Sequence, residues 1–540
     1  WVVAPPRTHT GAVILLADPH TELQNAAYYE YRMDAGNLKS SGFALGPLLW
    51  QANNEQVSWA MTTGNPDLWD CYAVEVDPDQ PSRYRYDGEW QEMIRAEESF
   101  GVKAADPVTR VFEYTRHNGV LSPVVSRTGK TAYVVSVSQM HDTGLLDNEI
   151  WRMNHAASVL ELRDAMSMLG MFPQNIVAGD TSGNIWYLRA GKTPIRPTGY
   201  NWRQVVPGNS SDTAWQGFYE IEDMIQVLNP PQNYLQNNNV APDRLFGDVN
   251  LDAADYPEAL FYDTPGRMTS RGLRTLEILD AAADFTIGQA MELAFDETWV
   301  TTEYWQMALR FALQTYPEWL ENQSKEVAAL VERILNFDGV ASAESEAALN
   351  FYYWRNGMKA VLDRPQFNHL RSLPWSLEDF DPEFAAAILD QAETAAAQMV
   401  DELGGTQRSL GSVFRVGRDE ASWPVGGETI DVPEEVDCLA DFSPLCERTM
   451  RAFASGPPDA NGERRAYRGS HAMRLVELSR PVRAWTLHLH GQSSHPDSPH
   501  YDDQDRLASE RKFKPAYFSW NELQGHIEST TMLEWDPAAQ

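Results

Sequence analysis

The sequence predicts an α+β protein in which a mainly helical stretch separates two strand-rich regions. Short β-rich segments between Pro, Gly and Asp turns occupy the first 130 or so residues. From about 270 to 405, apolar residues recur at three- and four-residue spacing, which is typical of amphipathic helices. Strand patterns return after residue 430. This order favours a layered αββα body that closes on itself.

The first elements are a hairpin and a loop. The run VVAP, a turn at Thr10-Gly11 and the run AVILLA predict two paired strands that lead into Asp18-Pro19-His20. Helical spacing with a glycine stop follows at 154–170, and NIVAGDTSGNIWYL predicts a second hairpin that turns at Thr181–Gly183.

The helical stretch contains TLEILDAAADF, KEVAALVERILNF and PEFAAAILDQAETAAAQMVDEL, each with an apolar stripe. Neither an internal repeat nor a low-complexity linker interrupts the chain. We therefore expect one large body over 1–540, with the mainly helical segment at about 270–405.

Charge excludes some classes of partner. The 43 basic and 77 acidic residues give a net charge of −34, which disfavours binding to nucleic acid or to an anionic membrane surface. No apolar run is long enough to span a bilayer. Because the chain lacks a starting Met and begins within a predicted strand, we expect a processed protein, periplasmic or secreted, whose export signal was removed earlier.

The cysteines and the common motifs are less informative. Cys438 and Cys446 enclose a short acidic loop and could form a disulfide in an oxidising compartment. The sequence contains no GxSxG, HExxH, P-loop or GxGxxG motif, so the commonest hydrolase, metalloprotease and nucleotide-binding interpretations are removed.

Four segments together carry a resemblance that extends over nearly the whole chain. They are WVVAPPRTHTGAVILLADPH (Trp1–His20), WAMTTGNPDLWD (Trp59–Asp70), NYLQNNNVAP (Asn233–Pro242) and GQSSHPDSPHYDDQ (Gly491–Gln504). In order and separation they resemble the large β chain of the penicillin acylase family, with cephalosporin and acyl-homoserine-lactone acylases nearest in character. The resemblance implies the four-layer αββα fold of N-terminal-nucleophile hydrolases, with a largely helical insertion.

The resemblance also implies a mechanism. In this family a serine at the start of the β chain attacks an amide, its own α-amino group accepts the proton, and water hydrolyses the acyl-enzyme. The corresponding residue would lie three positions before Trp1. The implied partners are a smaller α chain from the same precursor and a small N-acylated substrate.

Four catalytic positions follow from the matched segments. His20 lies where the family organises its nucleophile, Thr63 aligns with a backbone oxyanion donor, and Asn239 aligns with a side-chain donor. Arg271 aligns with an arginine near the active site, although Arg267 and Arg274 compete for that place. The alternatives without a catalytic role are a polar turn at Asn237–Asn239 and a solvent-exposed arginine at the start of a helix.

One departure concerns the partner of the histidine. Cephalosporin-acylase relatives place a glutamate at the position of Ser470, where it pairs with the histidine. The orientation of His20 is therefore expected to come from another residue, or His20 acts mainly through its backbone.

Two metal hypotheses remain open. Asp67, Asp70 and the carbonyl of Trp69 match a calcium site found in some branches of the family, and hard oxygen ligands suit Ca²⁺. Many branches lack this metal. The late histidines, namely His488, His490, His495 and His500, could instead suggest a transition-metal site and a metal-dependent amidase.

Substrate choice is weakly constrained. Thr21 replaces a bulky residue and Met61 precedes the donor segment, so both could line a pocket for an aliphatic acyl chain. The sequence leans towards acyl-homoserine lactones or lipopeptides, with β-lactam side chains as the second choice. A catalytically silent, acylase-like binding protein is the alternative from another class.

Overall fold

The computed structural model describes residues 1–23, 28–45, 48–142, 144–248, 251–429, 443–445 and 448–533. Cys438 and Cys446 lie outside these residues, so their disulfide stays a prediction. The chain divides into two compact units. Unit 1 comprises 1–60, 178–185 and 269–540, and unit 2 comprises 61–177 and 186–268. The prediction of one continuous body stays a prediction.

The strands are mostly short and are numbered in chain order. They are β1 (Val2–Val3), β2 (Ile14–Ala17), β3 (His20–Glu22), β4 (Tyr28–Ala35), β5 (Leu38–Leu45), β6 (Leu48–Asn54), β7 (Val57–Thr63), β8 (Trp69–Glu75), β9 (Arg83–Tyr86), β10 (Glu89–Glu92), β11 (Ile94–Phe100), β12 (Val108–His117), β13 (Val120–Thr128), β14 (Thr131–Val137), β15 (Gln174–Asp180), β16 (Ile185–Ala190), β17 (Val206–Pro207), β18 (Gln226–Leu228), β19 (Tyr234–Leu235), β20 (Phe414–Val416), β21 (Trp423–Pro424), β22 (Glu428–Thr429), β23 (Ala452–Ser455), β24 (Arg464–Ser470), β25 (Ala472–Glu477), β26 (Arg483–His488) and β27 (Lys514–Pro515).

The α-helices lie mainly in the middle of the chain. They are α1 (Leu145–His155), α2 (Val159–Met166), α3 (Glu258–Phe261), α4 (Ser270–Ala281), α5 (Ile287–Ala294), α6 (Thr302–Thr315), α7 (Lys325–Leu335), α8 (Glu346–Leu362), α9 (Pro382–Leu403), α10 (Leu410–Val413), α11 (Asp505–Ser509) and α12 (Trp520–Leu523). No helix among the described residues is both long and apolar enough to cross a membrane.

The central sheet of unit 1 begins with the predicted N-terminal hairpin. Its strands run in the order β1-β2-β25-β26-β27, and the pairing is antiparallel throughout. Val2 faces Leu15, which in turn faces Val476. Every residue of β1, β2 and β25 is buried, including Arg474 and Glu477 of β25, so this part of the sheet is covered on both faces.

A second antiparallel sheet of unit 1 contains β4, β5, β6 and the first part of β7. Its polar contacts with the central sheet are buried: a guanidinium nitrogen of Arg474 on β25 donates to Asn53 on β6 and lies 3.2 Å from the Ser41 hydroxyl on β5. The two sheets therefore face one another across a core that includes a buried charge held by hydrogen bonds.

A third sheet of unit 1 brings distant residues together. Its strands run β21-β20-β24-β23-β22, and β3 pairs with β24. In this pairing His20 faces Ser470 and Thr21 faces Gly469. Gly469 has a φ of 151°, and a Cβ there would lie 2.1 Å from the Ala452 carbonyl oxygen. Only glycine fits this close approach of two backbones.

The helical stretch of unit 1 follows local capping rules. Asp381 caps α9 through its contact with the Phe384 N–H, Pro382 occupies the first helical turn, and Gly404 ends the helix with a φ of 77°. Trp305 of α6 and Trp354 of α8 meet edge to face at 5.6 Å and are fully buried. Helix α5 packs against β2 and β25.

Unit 2 contains a sheet in the order β11-β12-β13-β14-β8-β17, and β16 pairs with β18. The end of β7 and the start of β8 belong to this unit, and the loop 64–68 connects them. Asp67 N–H donates to the Ala259 carbonyl at 2.8 Å, and the Leu68 carbonyl accepts from Ser138 N–H at 3.0 Å. The loop that follows Thr63 is thus held at several points.

Candidate active site

His20 lies at the start of β3 and contacts two oxygen atoms. Its Nε2 is 3.1 Å from Oδ2 of Asp18 and 3.3 Å from Oγ of Ser470. The Ser470 hydroxyl also donates to Asp18 Oδ2 at 2.9 Å. The side chains of His20 and Asp18 are 14% and 9% exposed, so this three-residue group is largely shielded from water.

Burial lowers the pKa of His20, while Asp18 opposes that shift and the cations Arg271 and Arg448 add to it. The ring is therefore neutral at neutral pH. Ser470 stands where the resemblance implies a glutamate. Asp18 supplies a carboxylate to the His20 ring instead, and the Ser470 hydroxyl donates a hydrogen bond to that carboxylate. Asp18 lies only two residues before His20 in the sequence, but the sequence alone does not show that its side chain contacts the histidine ring.

Thr21 and Arg271 have separate surroundings in unit 1. The Thr21 hydroxyl lies 2.9 Å from Nδ1 of His471, and burial lowers the pKa of His471 to about 3. Thr21 remains half-buried, so its role in an acyl pocket stays a prediction. Arg271 is buried in the first turn of α4, whose N-cap is Thr269.

The competing arginines are distinguished by their contacts. Arg274 pairs with Asp296 at 2.9 Å and with Glu277 at 2.8 Å. Arg267 belongs to unit 2, where a guanidinium nitrogen donates to the carbonyl of Asn239. Among the three, Arg271 helps to lower the pKa of His20. Arg267 is hydrogen-bonded to the backbone of Asn239, the residue that carries the predicted side-chain oxyanion donor.

Thr63 and Asn239, the residues that carry the two predicted oxyanion donors, lie next to each other in unit 2. Nδ2 of Asn239 lies 3.5 Å from the carbonyl oxygen of Thr63, the last residue of β7. Asn239 has a φ of 60°, a left-handed conformation that asparagine tolerates better than most residues. Met61 is half-buried on the same strand. The Asn run is thus a turn, and it also presents an amide beside Thr63.

The carboxamide of Asn237 organises this turn. Its Oδ1 accepts from the Thr62 hydroxyl at 2.5 Å and from the Asn239 N–H at 3.1 Å. Nδ2 of Asn175 lies 3.3 Å from the same oxygen and donates to the Thr63 carbonyl at 2.9 Å. One buried oxygen therefore ties the donor turn to the end of β7.

A second layer of polar groups supports Asn175 and Asn239. Oδ1 of Asn175 accepts from the Tyr187 hydroxyl at 2.6 Å and lies 3.4 Å from a guanidinium nitrogen of Arg189. Asp263 pairs with Arg189 at 2.8 Å and with Arg267 at 3.3 Å. Sequence reasoning missed Asn175, Tyr187, Arg189 and Asp263, because each is an isolated polar residue within a strand or loop.

The predicted calcium ligands enclose a cation that belongs to the chain. The guanidinium of Arg196 lies 3.1 Å from Asp67 Oδ2 and 2.9 Å from Asp70 Oδ2. It also donates to the Asp67 carbonyl at 3.1 Å and lies 3.4 Å from the Trp69 carbonyl. Trp215 donates its indole N–H to Asp70 Oδ2 at 2.6 Å.

Burial and the mutual repulsion of the two carboxylates outweigh Arg196, so the pKa of Asp67 is raised to about 6. Burial likewise raises the pKa of Asp70. Calcium takes roughly 6–8 oxygen ligands at about 2.3–2.6 Å. The arginine occupies the space and the oxygens that such an ion needs, so the donor set here does not fit calcium.

The late histidines have separate partners. His488 Nδ1 lies 3.1 Å from the Gln492 side chain, His490 pairs with Asp505 at 2.9 Å, and His500 contacts Asp503 at 2.8 Å. In the part of the chain that the structure describes, no group of three or more His, Cys, Asp or Glu residues could hold a metal ion. The transition-metal hypothesis therefore finds no ligand set among these residues.

Comparison with known proteins decides the family. The family model described as penicillin amidase matches residues 1–525. The chain belongs to the penicillin amidase family. This family comprises hydrolases that act on linear amide C–N bonds, and the resemblance predicted from four short segments is confirmed over almost the whole sequence.

Several penicillin-amidase relatives are named by activity. The chain is 25% identical to penicillin acylase 2 proenzyme of Pseudomonas sp. (strain SE83), covering 100% of this chain and 69% of the relative. It is 23% identical to penicillin G acylase of Escherichia coli, covering 99% and 65%. Acyl-homoserine lactone acylase QuiP of Pseudomonas aeruginosa is 22% identical, with coverage of 93% and 64%. The chain thus spans about two thirds of these relatives' length.

A solved member of the penicillin amidase family supports the fold. The thermostable penicillin G acylase from Alcaligenes faecalis superposes with a TM-score of 0.65 at 18% sequence identity, and the match covers 99% of each chain. The prediction of an α+β fold of the N-terminal-nucleophile hydrolase type is confirmed.

Proposed function

We propose that this chain is the large subunit of an amidohydrolase that cleaves N-acylated small molecules through an N-terminal serine and an acyl-enzyme. The observation that carries the proposal is the place of Asn239 beside the end of β7, where its amide nitrogen lies 3.5 Å from the Thr63 carbonyl oxygen. The Asn239 amide and the Thr63 N–H are the proposed oxyanion donors. The network that ends at Asp263 holds both in place, and preorganised donors of this kind need no rearrangement as charge develops.

The register of the N-terminal hairpin supports the position of the nucleophile. Trp1 and Leu16 exchange backbone hydrogen bonds, with N–O distances of 3.2 and 2.9 Å. An antiparallel ladder continued in this register carries the three preceding residues alongside Ala17, Asp18 and Pro19, next to His20. The neutral His20 ring, held by Asp18 and Ser470, then orients a serine three residues before Trp1.

The chemistry follows from these parts. The serine oxygen forms a bond to the amide carbonyl carbon, and its proton passes to the α-amino group of the same residue. Thr63 and Asn239 stabilise the oxyanion while the C–N bond breaks and the amine leaves with a proton. Water then attacks the ester, which releases the carboxylic acid and regenerates the serine.

Aliphatic N-acyl compounds are the proposed substrate class, either acyl-homoserine lactones or lipopeptides, and β-lactam side chains are the second candidate. Relatives named for acyl-homoserine lactone support the first choice, and those named for penicillin support the second. A smaller α chain from the same precursor completes the enzyme, consistent with a relative named as a proenzyme. We place the enzyme in the periplasm or outside the cell.

The test uses the full precursor, processed to its mature form. Intact-mass analysis of the large subunit should find serine three residues before Trp1, and the enzyme should release fatty acids from a series of acyl chains. Release of phenylacetate from penicillin G, with no fatty acid released from any of the aliphatic substrates, would reverse the proposed substrate preference. A mature enzyme with no nucleophilic residue at that position, and no amidase activity on either substrate class, would favour the silent binding protein.

A further inference from the structure

Arg196 sits at the centre of the acidic group formed by Asp67 and Asp70. Its side chain is 6% exposed, as is that of Asp67, and that of Asp70 is 1% exposed. The guanidinium contacts both carboxylates, and the Trp202 ring covers it from 5.7 Å. Two buried carboxylates this close to each other require a positive charge, because burial without a counter-charge is very unfavourable.

The backbone delivers Arg196 to this place. Ile195 N–H donates to the Gly217 carbonyl at 2.9 Å, and Gln216 N–H donates to the Ile195 carbonyl at 2.8 Å. This short ladder aligns Arg196 with Trp215, whose indole also reaches Asp70. Two adjoining segments thus direct one cation and one N–H donor at the same carboxylate, which is the arrangement of a built site rather than a chance surface pair.

We propose that Arg196 permanently fills the cation site that Asp67, Trp69 and Asp70 form, so that this enzyme binds no divalent ion there. A guanidinium suits the task because its fixed fork of N–H donors reaches carboxylate and carbonyl oxygens at once. Unlike a bound ion, it cannot dissociate, so the site stays occupied whatever the concentration of metal or chelator.

The same contacts give Arg196 a positioning role, and this half of the inference depends on the proposed function. Asp67 lies four residues after Thr63, and Arg196 holds both the side chain and the carbonyl of Asp67. The loop that leaves the proposed oxyanion donor is therefore anchored by a covalently attached cation. Loss of that anchor should lower kcat more than it changes KM, since the donor acts chiefly in the transition state.

Terbium luminescence tests the cation site without reference to activity. Tb³⁺ takes hard oxygen ligands as Ca²⁺ does, and Trp69 and Trp215 would sensitise an ion bound at Asp70. We expect no sensitised emission from the wild-type mature enzyme, and an identical Tm in excess Ca²⁺ and in EDTA. Sensitised emission that disappears in Asp70→Asn, or a Tm that EDTA lowers and Ca²⁺ restores, would overturn the proposal.

Substitution of Arg196 tests the same site by removing the cation that the side chain supplies. Arg196→Gln should lower the Tm by several degrees and kcat by roughly tenfold, whereas Arg196→Lys should retain part of both. Arg95→Gln is the matched control, because Arg95 is 58% exposed and pairs with Glu113 at 3.6 Å.

Equal Tm and kcat values for Arg196→Gln and Arg95→Gln would contradict the proposal. If Arg196→Gln does not fold, the terbium and EDTA measurements on the wild-type protein still decide the cation site. An enzyme that lacks amidase activity but shows the expected Tm and terbium results would refute the proposed function and leave the cation site intact.

Discussion

Oδ2 of Asp18 lies 3.1 Å from Nε2 of His20 and accepts a hydrogen bond from the Ser470 hydroxyl at 2.9 Å. The carboxylate thereby provides the partner that the family resemblance implies for a glutamate at position 470. Asp18 contacts the His20 ring from only two residues earlier in the chain. The same carboxylate is bonded to Ser470 on the distant strand β24. Asp18 is a positioning residue, because it acts through His20.

Asp18→Asn should lower kcat by roughly 10- to 100-fold, since a displaced ring misplaces the nucleophile. Asp18 raises the pKa of His20 against the larger effect of burial. Its loss should therefore lower that pKa further and move any acid limb of kcat/KM that reports His20 to lower pH. The pH profile measures both effects, with the surface variant Asp34→Asn as control. An unchanged rate and profile would refute the role of Asp18.

Removal of the Asn239 side chain should slow the chemical step. Because Asn239 has a φ of 60°, alanine would add backbone strain, and Asn239→Gly isolates the loss of the amide. We expect kcat to fall by about 10²–10³-fold with a much smaller change in KM. Steady-state kinetics at fixed pH measures both parameters, and circular dichroism checks the fold. A loss confined to KM would instead assign Asn239 to substrate binding.

The ion pairs of Asp263 should support both stability and rate. Asp263→Asn leaves Arg189 and Arg267 without their buried counter-charge, and breaking a buried pair costs about 3 kcal/mol of unfolding free energy. Tm should fall, and kcat should fall as the Asn239 turn loosens. Asp284→Asn is the control, because Asp284 is 71% exposed and pairs only with the exposed His9 among its described contacts. Equal Tm values for the two variants would argue against the network.

Glu149 makes the stability of the fold decrease as the pH rises from about 4.5 to about 8. Burial raises its pKa to about 8, against hydrogen bonds from Gly170 and Met171 N–H. A folded-state pKa above the unfolded value means that stability is fully present below the unfolded pKa, near 4.5. It is lost as pH rises towards 8 and the buried carboxyl ionises. Glu149→Gln should therefore raise Tm at pH 9 and change it little at pH 4.5.

Thermal denaturation at several pH values measures this difference, with the exposed Glu303→Gln as the matched control. An equal change in Tm for Glu149→Gln at both pH values would show that ionisation of Glu149 does not affect stability.

The sequence by itself determined the order of strands and helices, the N-terminal hairpin and the family. It also predicted His20, Thr63 and Asn239 as site residues. Each of these rests on a local signal: the period of a helix or strand, a turn residue, or a contiguous motif. Such signals are carried by residues adjacent in the chain, so one sequence suffices to read them.

Only the tertiary structure decided which polar groups meet. Ser470 reaches Asp18 across 452 positions, and Arg196 reaches Asp70 across 126. Asp263 joins Arg189 across 74. An isolated Ser, Arg or Asp has no period and no motif, and its partner depends on how distant strands align. That is why the sequence predicted a calcium site at Asp67 and Asp70, whereas the fold places an arginine between them.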